Sequence, residues 1–141
     1  MDIREALLTI RYHQEGVLDQ IAQRLNISFE DFLKSHTPYL SQSQIRSLID
    51  QGFYFGGHSV DHPMFSDLTL EEQIHQTKQS VAYVVETFDL KYRAFAFPFT
   101  DYGVSKSFFN RIQAKGIVDL SFGCAGQKED EGEKKLPAYS L

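Results

Sequence analysis

Three observations predict an α/β fold, with parallel strands and flanking helices, for this 141-residue chain. Between residues 41 and 122, segments with 3.6-residue apolar spacing alternate with short aromatic runs in the order helix, strand, helix, strand, helix, strand. Gly52, Pro98 and Gly116 punctuate the changes of period. His58, His62 and Phe99 follow two of the aromatic runs, which places them at the carboxyl ends of neighbouring parallel strands, where α/β folds carry their chemistry.

Each element has a local reason. Ile3, Leu7, Ile10, Val17, Leu18, Ile21 and Leu25 recur at helical spacing, which predicts one amphipathic helix over 3–25, bent at Gly16. Asn26 and Ile27 break it, and Ser28 caps a short helix reaching Lys34. Ser41 and Gln44 form a capping box for a helix to about Asp50, which Gly52 ends. A buried strand over 53–55 follows and delivers His58. Thr69 and Glu72 form a second box, opening a helix over 70–88 whose apolar stripe is Leu70, Ile74, Val81, Val84, Val85 and Phe88. A strand over 94–97 ends at Pro98. A helix over 105–115 buries Phe108, Phe109 and Ile112 and stops at Gly116, before a third strand over 118–122.

Composition excludes several function classes. Apolar residues are 42% and charged residues 23% of the chain, an ordinary soluble balance. The net charge of −5 comes with no basic cluster, which argues against a nucleic-acid partner. No apolar stretch approaches a membrane span, and no secretory leader is visible at the start, so the expected compartment is cytoplasmic. Cys124 is the single cysteine, so no internal disulfide framework is possible; it reads as a small packed residue. Residues 123–135 read as a polar solvent loop, and 136–141 as the start of another element.

The chemistry concentrates at 56–63. Gly56 and Gly57 precede His58, His62 stands four residues on, and Pro63 disfavours helical geometry at His62. Imidazole is a good zinc ligand, and two at a strand end can grip one ion, although a site needs a further donor. Asp61 lies between the pair and is a candidate third ligand, but neighbouring turn residues point in different directions. His13, His36 and His75 have no partner at ligand spacing and read as solvated or packed.

The run His58, Ser59, Val60, Asp61, His62, Pro63 resembles the second motif of the polysaccharide deacetylases, the NodB-like carbohydrate esterases of family 4. Residues 95–103, from Phe95 through Pro98 and Phe99 to Gly103, are similar to that family's third motif. The resemblance covers roughly residues 41–122. It implies a partial (β/α)-barrel of the glycoside hydrolase/deacetylase type over 41–141, with 1–40 as a helical segment. It further implies a divalent metal, zinc first, held by His58 and His62, with the Phe99 backbone N–H stabilising the tetrahedral oxyanion. The expected substrate is an N-acetylated carbohydrate, and the reaction hydrolysis of its N-acetyl group.

The sequence departs from the family at three places. No Asp-Asp pair precedes residue 58, where the family keeps its base and third ligand. No His-containing motif follows residue 122, where the family keeps its acid, and Ala96 stands where the usual Arg falls. The expectation is therefore the middle of a deacetylase domain, with little turnover of its own. The alternative is a non-catalytic sugar- or metal-binding relative. Absent strands would leave open sheet edges, which invite pairing with a second copy.

Overall fold

The computed structural model describes residues 2–123. The expectations for Cys124, for the charged run beyond Gly123 and for 136–141 lie outside the described residues. The chain divides into two compact units, one ending at Phe53 and the other beginning at Tyr54.

In the first unit, the single helix expected over 3–25 is three pieces: α1 (Ile3–Leu8), a 3₁₀ turn (Tyr12–Gln14) and α2 (Gly16–Arg24). The break follows from local chemistry. Thr9 and Ile10 are β-branched and resist helical rotamers, and the Thr9 hydroxyl donates to the Ala6 carbonyl at 2.7 Å, closing the turn. The apolar spacing runs on across the break, which is why periodicity alone reads one helix. Asn26, at φ +55°, ends α2: its own N–H bonds to the Gln23 carbonyl, and the Ile27 N–H to the Ala22 carbonyl. Ser28 then caps α3 (Phe29–Ser35) by accepting from the Asp31 N–H. The Ser41–Gln44 capping box opens α4 (Gln42–Asp50) as expected.

The strand expected over 53–55 does not form. Gly52, at φ +94°, closes α4 with a Schellman motif in which the Phe53 N–H returns to the Leu48 carbonyl. The Phe55 N–H bonds to the Tyr92 hydroxyl. Both N–H groups are thus spent before any ladder begins. Phe53 and Tyr54 are exposed, at 59% and 84%, rather than buried.

Pairing starts only at Gly57, in a parallel bridge to Phe95. Its N–H donates to the Ala94 carbonyl at 2.8 Å, and its carbonyl accepts from the Ala96 N–H at 2.9 Å. Strand β1 (Ala94–Ala96) pairs on its other side with β2 (Leu120–Phe122), also parallel, with Phe95 opposite Ser121. Helix α6 (Lys106–Ala114) connects the two strands and α5 (Leu70–Phe88) precedes them, so the second unit is the parallel α/β arrangement the sequence predicts. Among the described residues the sheet has these two strands and the bridge.

The core of this unit is aromatic. Phe65, Phe95, Phe97 and Phe108 are buried, and their rings meet at centroid separations of 5.1–5.9 Å, mostly edge to face. Burying one such ring contributes about 1.5–3 kcal/mol. Phe65, on a 3₁₀ turn (Phe65–Asp67) that the sequence reading missed, is fully buried among Phe95, Phe97 and Phe108. Helix α5 has its predicted bounds and its Thr69–Glu72 box, but its buried face is not purely apolar. Gln73, Gln76, Thr77 and Ser80 are buried alongside Ile74, Val81 and Phe88, whereas Leu70, Val84 and Val85 are half-buried.

Candidate functional site

The carboxyl edge of the sheet gathers the residues singled out from sequence. Gly56 and Gly57 make the approach possible. A Cβ on Gly56 would lie 2.6 Å from the Ala94 carbonyl oxygen, and one on Gly57 would lie 2.8 Å from the Val81 backbone nitrogen of α5. Only glycine lets the chain run this close to β1 and α5 together. His58 follows directly.

The His58 Nδ1 lies 2.9 Å from the Ala96 carbonyl oxygen. A carbonyl can only accept, so Nδ1 carries the proton and Nε2 is left with its lone pair, the arrangement that orients an imidazole as a metal ligand. The His62 ring stands 4.8 Å from the His58 ring, centroid to centroid, and 4.6 Å from the Phe99 ring, edge-on to both. The two histidines and Phe99, 37 to 41 positions apart in sequence, are neighbours because Gly57 and β1 pair in parallel.

This cluster also holds backbone strain. Ser59, His62 and Phe99 have φ of 65°, 55° and 59°, values that non-glycine residues seldom adopt and that tend to gather at functional sites. Ser59 offsets part of the cost through its hydroxyl, which accepts from the His62 N–H at 3.0 Å. Among the described residues no acceptor meets the Phe99 N–H.

Asp61 stands between the histidines in sequence, but its carboxylate turns to α5, where Oδ2 accepts from Gln76 Nε2 at 2.7 Å. Asp101 follows Phe99 on the same edge. Its Oδ1 is buried without a hydrogen-bond partner among the described residues, and its carboxyl packs against Gly123, where a Cβ would lie 2.6 Å away. No group of three His, Cys, Asp or Glu side chains among the described residues is placed to hold one ion. The donor set therefore fits a metal in part, offering two imidazoles of the three protein ligands that a hydrolytic zinc takes.

The remaining histidines lie elsewhere: His36 stacks on Phe32 at 4.3 Å in α3, His13 is edge-on to Tyr12, and His75 is exposed on α5. Arg93 is committed at the opposite end of β1, where its guanidinium bonds to Asp119 and to the Gly116 carbonyl. The hydrogen bonds and charge between Arg93 and Asp119 raise the Arg93 pKa and hold the Asp119 carboxyl below its ordinary value. Sequence reasoning missed Gln76 and Ser59 as supports of the histidine turn. The signal for Gln76 was a run of polar residues, Gln73, Gln76, Thr77 and Ser80, at helical spacing in a helix whose other faces were already accounted for.

At this edge of the parallel strands the His58, His62 and Phe99 rings stand together, with the His58 ring held by the Ala96 carbonyl. The family model for polysaccharide deacetylases matches residues 18–117, and the chain belongs to that family. The match takes in α2 through α6 and so includes helices from both units. No curated protein and no solved structure matches the chain. Among the described residues, no helix is long and apolar enough to cross a membrane.

Proposed function

We propose that this chain contributes the metal-binding and oxyanion part of an N-acetyl-sugar deacetylase. The carrying observation is the His58 Nδ1–Ala96 hydrogen bond, which leaves Nε2 as a donor beside His62. His58 and His62 would hold a divalent ion, zinc first. The chemistry such an ion supplies is polarisation of the acetyl carbonyl and acidification of a water. The Phe99 N–H, fixed in position by the left-handed turn at that residue, would donate to the oxygen as it gains negative charge. A side chain of any type serves there, so phenylalanine is compatible with the role.

The family and the parallel strands with their helices support placing the second unit within a (β/α)-barrel. The substrate this reading assigns is an N-acetylated amino-sugar glycan or polymer. Ala96 at the family's Arg position, and Asp61 turned toward Gln76, favour a second reading in which the site binds metal or sugar without turning it over.

Zinc titration of the chain against a His58→Ala, His62→Ala double variant tests the metal, with uptake expected only in the parent. Equal uptake by both would overturn it. Acetate release from N-acetylated chito-oligosaccharides with added zinc or cobalt separates the two readings.

A further inference from the structure

The turn between His58 and His62 is held by side chains rather than by a backbone ladder. The N–H groups of Val60 and Asp61 both donate to Gln76 Oε1, at 2.8 and 3.2 Å, and the His62 N–H donates to Ser59 Oγ. Gln76 also donates from Nε2 to Asp61 Oδ2. One amide thus meets both the donor and the acceptor groups of the turn. It does so from a buried position on α5, 4% exposed, where an unpaired amide would be costly. The turn needs such a hold, because Ser59 and His62 both sit at positive φ.

The geometry points to Gln76 as the positioning residue of the imidazole pair: its amide fixes the Val60 and Asp61 peptides and so sets where His62 stands relative to His58. The assignment rests on the metal reading above and deepens it. It makes Asp61 the partner of Gln76 rather than a third ligand. The neighbouring Gln73 supplies an internal contrast. It is equally buried on the same helix, but its Nε2 donates to the Phe65 and Leu68 carbonyls, beyond the pair.

Gln76→Met, Gln76→Glu and Gln73→Met variants of the full chain test this. In metal-free protein, Gln76→Met should speed amide exchange at Val60 and Asp61 and weaken the ring-to-ring NOE between His62 and Phe99. Gln73→Met should leave both unchanged. In zinc titration, Gln76→Met should bind about tenfold or more weakly than the parent, the usual effect of losing a support behind a metal ligand, with Gln73→Met at parental affinity.

Should Gln76→Met not fold, Gln76→Glu carries the test. It keeps an oxygen to accept from both N–H groups but sets a carboxylate against Asp61, so zinc affinity should fall, and adding Asp61→Asn should restore it by re-forming the hydrogen bond. Parental exchange at Val60 and Asp61 in Gln76→Met, parental zinc affinity in that variant, or no rescue by Asp61→Asn overturns the assignment. A parent that takes up no more zinc than the double-histidine variant overturns the metal reading instead; the metal-free exchange and NOE then decide the role of Gln76.

Discussion

Single residues at the sheet edge are governed by space and by φ, and both make predictions. Gly57→Ala should destabilise the protein by about 1–3 kcal/mol, because its Cβ would press on backbone as well as side chain of α5. Gly16→Ala, with nothing within 4 Å of the new Cβ and no positive φ, should instead stabilise by about 0.4–1 kcal/mol. Urea melts of the two variants check the contrast. Phe99 offers a second comparison. It is 58% exposed and strained at φ +59°, so Phe99→Gly should hold or raise stability by about 1 kcal/mol while keeping the N–H. Phe97→Ala, two positions earlier in the aromatic core, should cost about 3–5 kcal/mol.

The elements are set by their ends and by the ties between them. The Thr69 hydroxyl and the Glu72 carboxylate satisfy each other's backbone N–H groups at the start of α5, so Thr69→Ala should cost about 1 kcal/mol in a thermal or urea melt. The Arg93–Asp119 pair joins the segments leading into β1 and β2. The Arg93 side-chain hydrogen bonds hold the Asp119 pKa below its ordinary 3.8. A depressed carboxylate pKa contributes stability above the unfolded value, and that contribution is lost as pH falls through the folded value. Asp119→Asn should therefore be less stable than the parent at pH 7. The difference should shrink as pH drops below 3.8, and also with added salt, since both groups are near half-exposed. Urea midpoints measured across pH read this directly, and a gap independent of pH would contradict it.

The whole chain carries large apolar side chains on its surface, among them Ile3, Leu8, Phe29, Phe32 and Leu40 in the first unit. Exposed apolar side chains favour association where they adjoin. Sedimentation of the 141-residue chain should show concentration-dependent self-association, and a clean monomer at high concentration would contradict it. Turnover by these residues alone should be near background. General acid and base steps each contribute about 10²–10⁴-fold, and the sequence has neither the family's Asp-Asp pair before residue 58 nor an Arg at position 96. Robust acetate release that depends on His58 would mean that a carboxylate within the chain, Asp61 or Asp101 being the candidates, serves as the base.

The sequence by itself determined whatever depends on neighbours along the chain. Ser28, Ser41 and Thr69 cap the helices they were read to cap, and Gly52 and Gly116 end theirs, because a cap is a contact over three or four residues. The α/β class, the parallel strand pair and the family resemblance were legible for the same reason: period and motif are local patterns. Tertiary structure alone decided where competing hydrogen bonds went. The Phe55 N–H was claimed by the Tyr92 hydroxyl, thirty-seven residues away, so the expected strand dissolved and only Gly57 reached β1. Asp61 was drawn to Gln76, fifteen residues away. Phe65 joined a core whose other rings come from β1, from Phe97 just beyond it, and from α6. Such choices are settled between groups far apart in sequence, each with more than one satisfactory partner, and no pattern along the chain ranks those partners before they meet.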